Sequence, residues 1–404
     1  MSSPQKTSCC SGAEKIPDLK PLGGPGNLTF LPMAKPPEKE DIPCCGAPQE
    51  PPSSPLERPG YTLCHFVEAL VDTPAGPAPS VNTTLTRTDL MGTIRARIGF
   101  RRNLYKIAPG LYAVGKPDAQ SVVLVTANYK LTFDTLRHEL TGLNLWLLVL
   151  DTRGINVWCA AGKGTFSTDE IARQVNLTRL GEVVKHRELI LPQLAGPGVS
   201  GHKLNKLCGF KAIWGPIRAL DIRDFLNNDK KATHEMRQVS FTLKERLVLT
   251  PVELYLITKP TFWILLALFL ISGIGREIFS LTSLWQRGLL IAAAYLGGVV
   301  GGTIAVPALL PVIPFRAFAL KGALTGLISG GLIAWLCLPI VNNLEALAML
   351  LCSVTISSYT AMNFTGATPF TSPSGVEKEM RLAIPSQALI ALAAAATWII
   401  AAFV

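Results

Sequence analysis

Two kinds of apolar pattern divide this chain. Between residues 60 and 240 the apolar runs are short and are broken by polar residues. Ser121-Val122-Val123-Leu124-Val125-Thr126 and the run from Asn144 to Leu150 read as buried strands. A short apolar run bounded by turn residues fits a strand covered on both faces. Glu188 to Pro192 and Lys211 to Trp214 are further strand candidates, and Arg97–Phe100 and Gly110–Val114 predict two short strands before them. Leu131 to Leu140 and Ile217 to Leu226 have helical spacing, and Ser167 with Glu170 has that of a capping box. Strands alternating with helices predict an α/β domain whose mainly parallel sheet is covered on both faces.

From residue 261 the pattern changes to long runs of Leu, Ile, Ala, Gly and Val. Their length predicts five membrane helices, at about 261–280, 288–313, 322–341, 344–362 and 383–404. Pro307, Pro311 and Pro314 are expected to bend or end the second. Gly298/Gly302 and Gly322/Gly326/Gly330 recur every four residues, which favours close helix packing over a pore. The spans hold almost no charge, so no ion pathway is signalled. With the soluble domain inside, the cytoplasmic flanks carry Lys244, Arg246, Lys259, Arg316, Lys321, Lys378 and Arg381, and the other side carries Arg276 and Arg287. That bias predicts a multi-pass protein of the cytoplasmic (inner) membrane with a cytoplasmic domain. The domains expected are a disordered tail over 1–59, the soluble domain over 60–240, a linker over 241–260 and the all-α transmembrane domain of five helices over 261–404.

Composition refines this picture in three places. Residues 1–59 are rich in Pro, Ser, Lys and Glu and hold too little apolar surface to offset chain entropy. The net charge of +10 is spread without a basic stripe interleaved with aromatics, so nucleic acid is not an expected partner, and the lipid bilayer is. The cysteine count is 9, two pairs are adjacent, no secretory leader opens the chain and no Cys-x-x-Cys occurs. These features favour a reducing compartment over a disulfide scaffold, and argue against an iron–sulfur or zinc site held by this chain alone.

Ligands of a parallel sheet bind at the carboxyl ends of its strands. Three segments follow predicted strands: Thr126-Ala127-Asn128, the octapeptide Asn156-Val157-Trp158-Cys159-Ala160-Ala161-Gly162-Lys163, and the loop Ala195-Gly196-Pro197-Gly198-Val199-Ser200-Gly201. If Asn156 caps a short helix, Cys159 takes its third position, where free N–H groups favour a thiolate. Trp158 would shield the sulfur, and Ala160, Ala161 and Gly162 would let a flat ligand approach. Such a thiolate is a nucleophile or a soft metal ligand; the competing reading is an inert cysteine in a tight turn.

The octapeptide resembles the cap-helix signature of the HgcA family, the corrinoid proteins of microbial mercury methylation. The resemblance continues through Leu191-Pro192-Gln193-Leu194-Ala195-Gly196-Pro197-Gly198-Val199-Ser200, Met362–Gly366 and Ser374–Met380. Those stretches also resemble the large subunit of the corrinoid iron–sulfur protein. The resemblance implies a Rossmann-like corrinoid-binding domain before the membrane helices, and a cobalamin-type corrinoid whose cobalt takes Cys159 as lower axial ligand. The cofactor contacts this implies are Asn156 through Lys163 with Gly198 and Ser200, to which the strand-end position adds Thr126 and Asn128. It implies a corrinoid-dependent methyltransferase that takes methyl from a donor of the methyl-tetrahydrofolate type and gives it to Hg(II), forming methylmercury. The cluster cysteines of the iron–sulfur relative are missing here, so an HgcB-type ferredoxin would supply electrons. For Lys163, a contact to a corrin amide and a plain helix end both stay open.

Other residues carry weaker signals. The vicinal pairs Cys9-Cys10 and Cys44-Cys45 suit Hg(II) capture, against free drift of a tail. His138, His186, His202 and His234 have no metal-ligand spacing, and Cys208, Cys337 and Cys352 read as small apolar fillers. The loop from Asn363 to Met380 is a docking loop or a solvated one. Two other functions compete: a corrinoid methyl carrier with another acceptor in one-carbon metabolism, and a small transporter with a regulatory domain.

Overall fold

The computed structural model describes residues 64–364 and 373–404. Cys9, Cys10, Cys44, Cys45 and part of the Asn363–Met380 segment lie outside the described residues. The described residues form two compact units, one with residues 64–96 and Arg101–Val239, the other with Arg97–Phe100 and the described residues from Ser240 on.

In the first unit the elements run β1 (Val67–Val71), β2 (Ala78–Val81), α1 (Arg87–Ile98), β3 (Gly110–Val114), β4 (Val123–Ala127), α2 (Lys130–Glu139), β5 (Leu145–Leu150), α3 (Val157–Gly162), α4 (Thr168–Leu177), α5 (Leu180–Val183), β6 (Glu188–Leu191), α6 (Gly201–Cys208), β7 (Lys211–Trp214) and α7 (Ile222–Asn227). The seven strands form one sheet in the order β1-β2-β3-β5-β4-β6-β7. Its heart, β5-β4-β6-β7, is parallel as predicted. The sheet as a whole is mixed, because β1 runs antiparallel to β2 and β3 antiparallel to β5.

Alternation along the strands divides the interior into two cores. Leu145, Leu147 and Val149 of β5 join Leu124 and Ile190 on one face, under Phe133 of α2 and Phe225 of α7. Trp146, Leu148 and Leu150 join Val123, Val125, Leu189 and Leu191 on the other, under Ile171 of α4 and Leu204 of α6. All six β5 residues are buried. A strand with helices on both faces needs apolar residues at every position, which is why Leu145–Leu150 reads as an unbroken run.

The predicted strand at Arg97–Phe100 is not formed; Arg97 and Ile98 close α1 instead. Leu90, Ile94 and Ile98 recur every four residues, a helical period, and Gly99 ends the helix at φ +101°. Cys64 is disulfide-bonded, a cross-link that the expectation of a reducing compartment rather than a disulfide scaffold does not include. α1 is bound to α2 by a buried ion cluster. Lys130 Nζ donates to Asp89 Oδ1 at 2.7 Å and Asp134 Oδ2 at 2.5 Å, and Arg137 pairs with Asp89 and Asp134 at 2.8 Å each. Burial alone would raise the Asp89 carboxyl. Hydrogen bonds from Lys130, the Thr86 N–H and His65 outweigh it and hold Asp89 well below the usual carboxylate range.

The second unit contains α8 (Leu243–Leu247), α9 (Thr250–Ser272), the hairpin β8 (Ile274–Gly275) and β9 (Ile278–Phe279), α10 (Leu281–Val300), a π-turn (Gly301–Ala305), α11 (Val306–Leu309), α12 (Phe318–Cys337), α13 (Asn343–Asn363) and α14 (Pro373–Ile400). Among the described residues, five helical stretches are long and apolar enough to cross a membrane. Their bounds differ from the predicted spans at both ends of the unit. α9 begins inside the expected linker and ends at Ser272, where the hairpin turns the chain. α14 begins at Pro373, so the charged residues of the expected loop from 373 on are helical; Arg381 donates to Glu377 one turn back. Pro307 lies in α11 and the helix ends at Leu309, two residues before Pro311.

The glycine repeats do what their spacing implies. A Cβ at Gly322 or Gly326 would meet the backbone of α13 at Ser358 or Val354, at 2.7 and 2.8 Å from their Cα atoms. α12 and α13 approach closely there because no side chain separates them. Charges sit at the two ends. Lys321 Nζ donates to the carbonyls of Leu310 and Ile313 at 2.9 and 2.5 Å, and Arg246 to those of Pro307 and Ala308 at 2.9 Å each. At the other end Arg287 pairs with Glu345 at 2.7 Å.

Candidate functional site

β5, β4 and β6 are neighbours and parallel, so the chain leaves all three at one edge of the sheet. Asn128, Asp151 and Pro192 follow their last residues. Two of the three segments singled out in the sequence pack together there. A Cβ on Gly198 would fall on the Phe166 carbonyl and meet Ala161 Cα and O at 3.1 Å each. Only a glycine lets the 3₁₀ turn Gln193–Gly198 lie against the backbone of α3.

α3 is built as predicted. Asn156 is its N-cap, with Oδ1 accepting from the Cys159 N–H at 2.9 Å, so Cys159 is at the third helical position. Val157, Ala160 and Ala161 point into the core. Trp158, Cys159 and Lys163 are half-buried and Gly162 is exposed, with open space where a Cβ would stand. Cys159 is a free thiol. Burial pushes the Cys208 thiol up, so that cysteine is a poor nucleophile.

Thr126 and Asn128 are buried, at 2% and 0% exposure, and Asn128 holds the loop that launches α3. Its Oδ1 accepts from the N–H groups of Thr152 and Gly154 at 3.1 and 2.9 Å and from Thr152 Oγ1 at 2.9 Å, while Nδ2 donates to Asp151 Oδ1 at 3.2 Å. Ser200 caps α6 and its N–H donates to Thr168 Oγ1 at 2.9 Å.

The roles of two residues escaped the sequence reading. Ser167 caps α4 as expected, but Glu170 does not complete the box: its Oε1 accepts from the Asp151 N–H at 2.9 Å and so clamps the β5–α3 loop. Spacing alone does not tell a local cap from a distant acceptor. Gln193 Oε1 is buried without a hydrogen-bond partner on the turn that packs against α3. Among the described residues no three His, Cys, Asp or Glu side chains gather into a metal site.

The sequence of this unit is similar to a known family. Residues 89–226 match the family model described as CO dehydrogenase/acetyl-CoA synthase delta subunit. The chain is also 31% identical over 141 residues to the acetyl-CoA decarbonylase/synthase complex subunit gamma of Archaeoglobus fulgidus, covering 33% of this chain and 30% of that one. It is 30% identical over 148 residues to the corrinoid/iron-sulfur protein large subunit of Moorella thermoacetica, covering 34% and 33%. A gamma 2 subunit of Methanosarcina thermophila is 37% identical over 111 residues, covering 26% and 23%. The chain thus spans a third or less of the length of these relatives. The relation to the corrinoid/iron-sulfur protein large subunit is therefore supported over the α/β unit.

Proposed function

We propose that the chain is a membrane-anchored, corrinoid-dependent methyltransferase with Cys159 as the lower ligand of the corrinoid cobalt and Hg(II) as methyl acceptor. The observation that carries this reading is one half-exposed thiol on a capped helix turn at the carboxyl edge of the parallel strands. No other metal-ligating cluster accompanies it among the described residues. A metal taken by one protein sulfur must bring its other ligands with it, as a corrin ring does.

The residues fit such a group. Gly162 and Gly196 leave open space beside α3, and the orphaned Gln193 Oε1 can accept an N–H from an amide side chain of the ring. Cys159 would hold the cobalt, with Trp158 and Lys163 at the rim. A bound corrinoid would supply a cobalt able to carry a methyl group, and Cys159 would be the residue that holds it. The chain's own work is positioning. Asn156 fixes the Cys159 backbone, Asn128 and Glu170 fix the loop before it, and Gly198 admits the turn behind it. Methyl would come from a donor of the methyl-tetrahydrofolate type and electrons from an HgcB-type ferredoxin. The five long helices would anchor the unit in the cytoplasmic membrane with the α/β unit in the cytoplasm.

A second reading is a corrinoid methyl carrier for a one-carbon enzyme, favoured by the names of the relatives rather than by the octapeptide. Both share the test of the ligand. The full chain loaded with corrinoid is expected to show a sulfur-to-cobalt visible spectrum that Cys159→Ala loses, together with methylmercury formation. Methylmercury made equally by the variant would sink the proposal. A spectrum that depends on Cys159 without any methylmercury would move the case to the second reading.

A further inference from the structure

α1 is turned inside out for a helix on a water-facing surface. Leu90, Met91, Ile94 and Ile98 are 51, 52, 51 and 42% exposed, and their spacing puts them on one stripe. The opposite face carries Asp89 and Ala96, each 1% exposed. The helix thus buries its acid, paired with Lys130 and Arg137, and shows its aliphatics. Arg95 and Arg97 border the stripe on its two sides, Arg87 stands at the start of the helix, and Arg101, Arg102 and Lys106 follow its end. Asp89 is the one acidic residue between 85 and 106. An aliphatic stripe edged by arginines suits the boundary of a bilayer, where the aliphatics enter the acyl region and the guanidinium groups reach lipid phosphates.

A second observation places the end of this helix. Arg97–Phe100 belong to the same compact unit as Ser240–Val404. A Cβ on Gly99 would meet Tyr255 Cδ1 at 2.9 Å and Val252 Cγ2 at 3.1 Å, both in the opening turns of α9. Those turns precede Lys259, after which α9 is free of charge to its end. Within that unit, the residues Arg97–Phe100 at the end of α1 therefore lie against the opening turns of α9, ahead of its apolar run.

We infer that α1 is an interfacial helix that lies on anionic lipid, with Leu90, Met91, Ile94 and Ile98 inserted and Arg87, Arg95 and Arg97 on phosphate. The inference rests on the reading that the long helices cross a bilayer. The full chain is placed in nanodiscs of phosphatidylcholine alone or with roughly a third phosphatidylglycerol, and amide hydrogen exchange is read at residues 87–98. Exchange there is expected to be about tenfold or more slower in the anionic discs. The double variant Arg95→Glu with Arg97→Glu should lose this difference while exchange in β5 stays unchanged. Equal exchange in both lipids, whether fast or slow, would overturn the inference; equally slow exchange would mean that protein covers the stripe. A chain that enters no disc at all would sink the spanning reading, and this inference with it.

Discussion

β5 and α9 are both apolar runs, and they meet opposite fates. The six residues of β5 are all at or below 2% exposure. Phe262, Trp263 and Leu266 of α9 are 61, 64 and 43% exposed. In the α/β unit apolar side chains leave water by packing on one another, while the helical unit presents many of them outward, a surface compatible with a non-aqueous surrounding. Some of the cations differ too, although Arg287 of the helical unit has Glu345 as its partner. Lys130 and Arg137 are matched by carboxylates, whereas Lys321 and Arg246 are held by backbone carbonyls at helix ends. Such carbonyls are available because the last turn of a helix leaves them unbonded.

The sharpest test of this contrast places an acid in each run. Leu148→Asp should cost more than about 4 kcal/mol and unfold the α/β unit in any detergent, since it buries a charge where no partner exists. Leu266→Asp should leave thermal unfolding in detergent nearly unchanged but cost about 3 kcal/mol on insertion, read as loss of protein from the carbonate-resistant membrane fraction. Unchanged membrane retention of the second variant would break the comparison.

Asp89→Asn comes next. It leaves Lys130 and Arg137 buried with one carboxylate between them, and a loss of about 3–5 kcal/mol in denaturant unfolding is expected. The pH dependence has a definite sign. Asp89 is held low in the folded state, so its contribution is full above the ordinary carboxylate range and is lost as pH falls through the lowered value. Wild type should weaken in acid more than Asp89→Asn does; parallel pH profiles would remove Asp89 as the cause.

Gly198→Ala tests how tightly the candidate site depends on close backbone approach. A cost of about 1–3 kcal/mol is expected, with weaker corrinoid retention, because the new methyl has only the Phe166 carbonyl and Ala161 backbone to displace. Gly196→Ala, with open space, is the control. The smallest effect belongs to Glu188. The hydrogen bond from Lys230 holds its carboxyl low, but the pair is about one-third exposed on both sides. Glu188→Gln should therefore change stability by well under about 1 kcal/mol, only above the ordinary carboxylate range, and less so at high salt.

Much of this was legible in order along the chain. The buried strands, the cap at Asn156 and the glycine repeats of α10 and α12 follow from local period and local chemistry, which neighbouring residues report. Arg97–Phe100 misled because four residues cannot separate the two periods; Leu90 and Ile94, further upstream, decide for the helix. The antiparallel placement of β3 beside β5 was not legible either, since strand order depends on pairings between distant segments.

The sequence by itself determined the division into an α/β unit and five long apolar helices, and it singled out Cys159 by its position after a strand and behind a capping asparagine. Only the tertiary structure decided what surrounds that cysteine. Asn128, Glu170 and Gly198 lie on other strands and helices, and their roles exist only when the carboxyl ends of β4, β5 and β6 come together. The outward turn of the α1 stripe was decided in the same way. A helical period shows that a stripe exists, but which side is buried depends on what the opposite side binds, and here it binds Lys130 and Arg137 through Asp89.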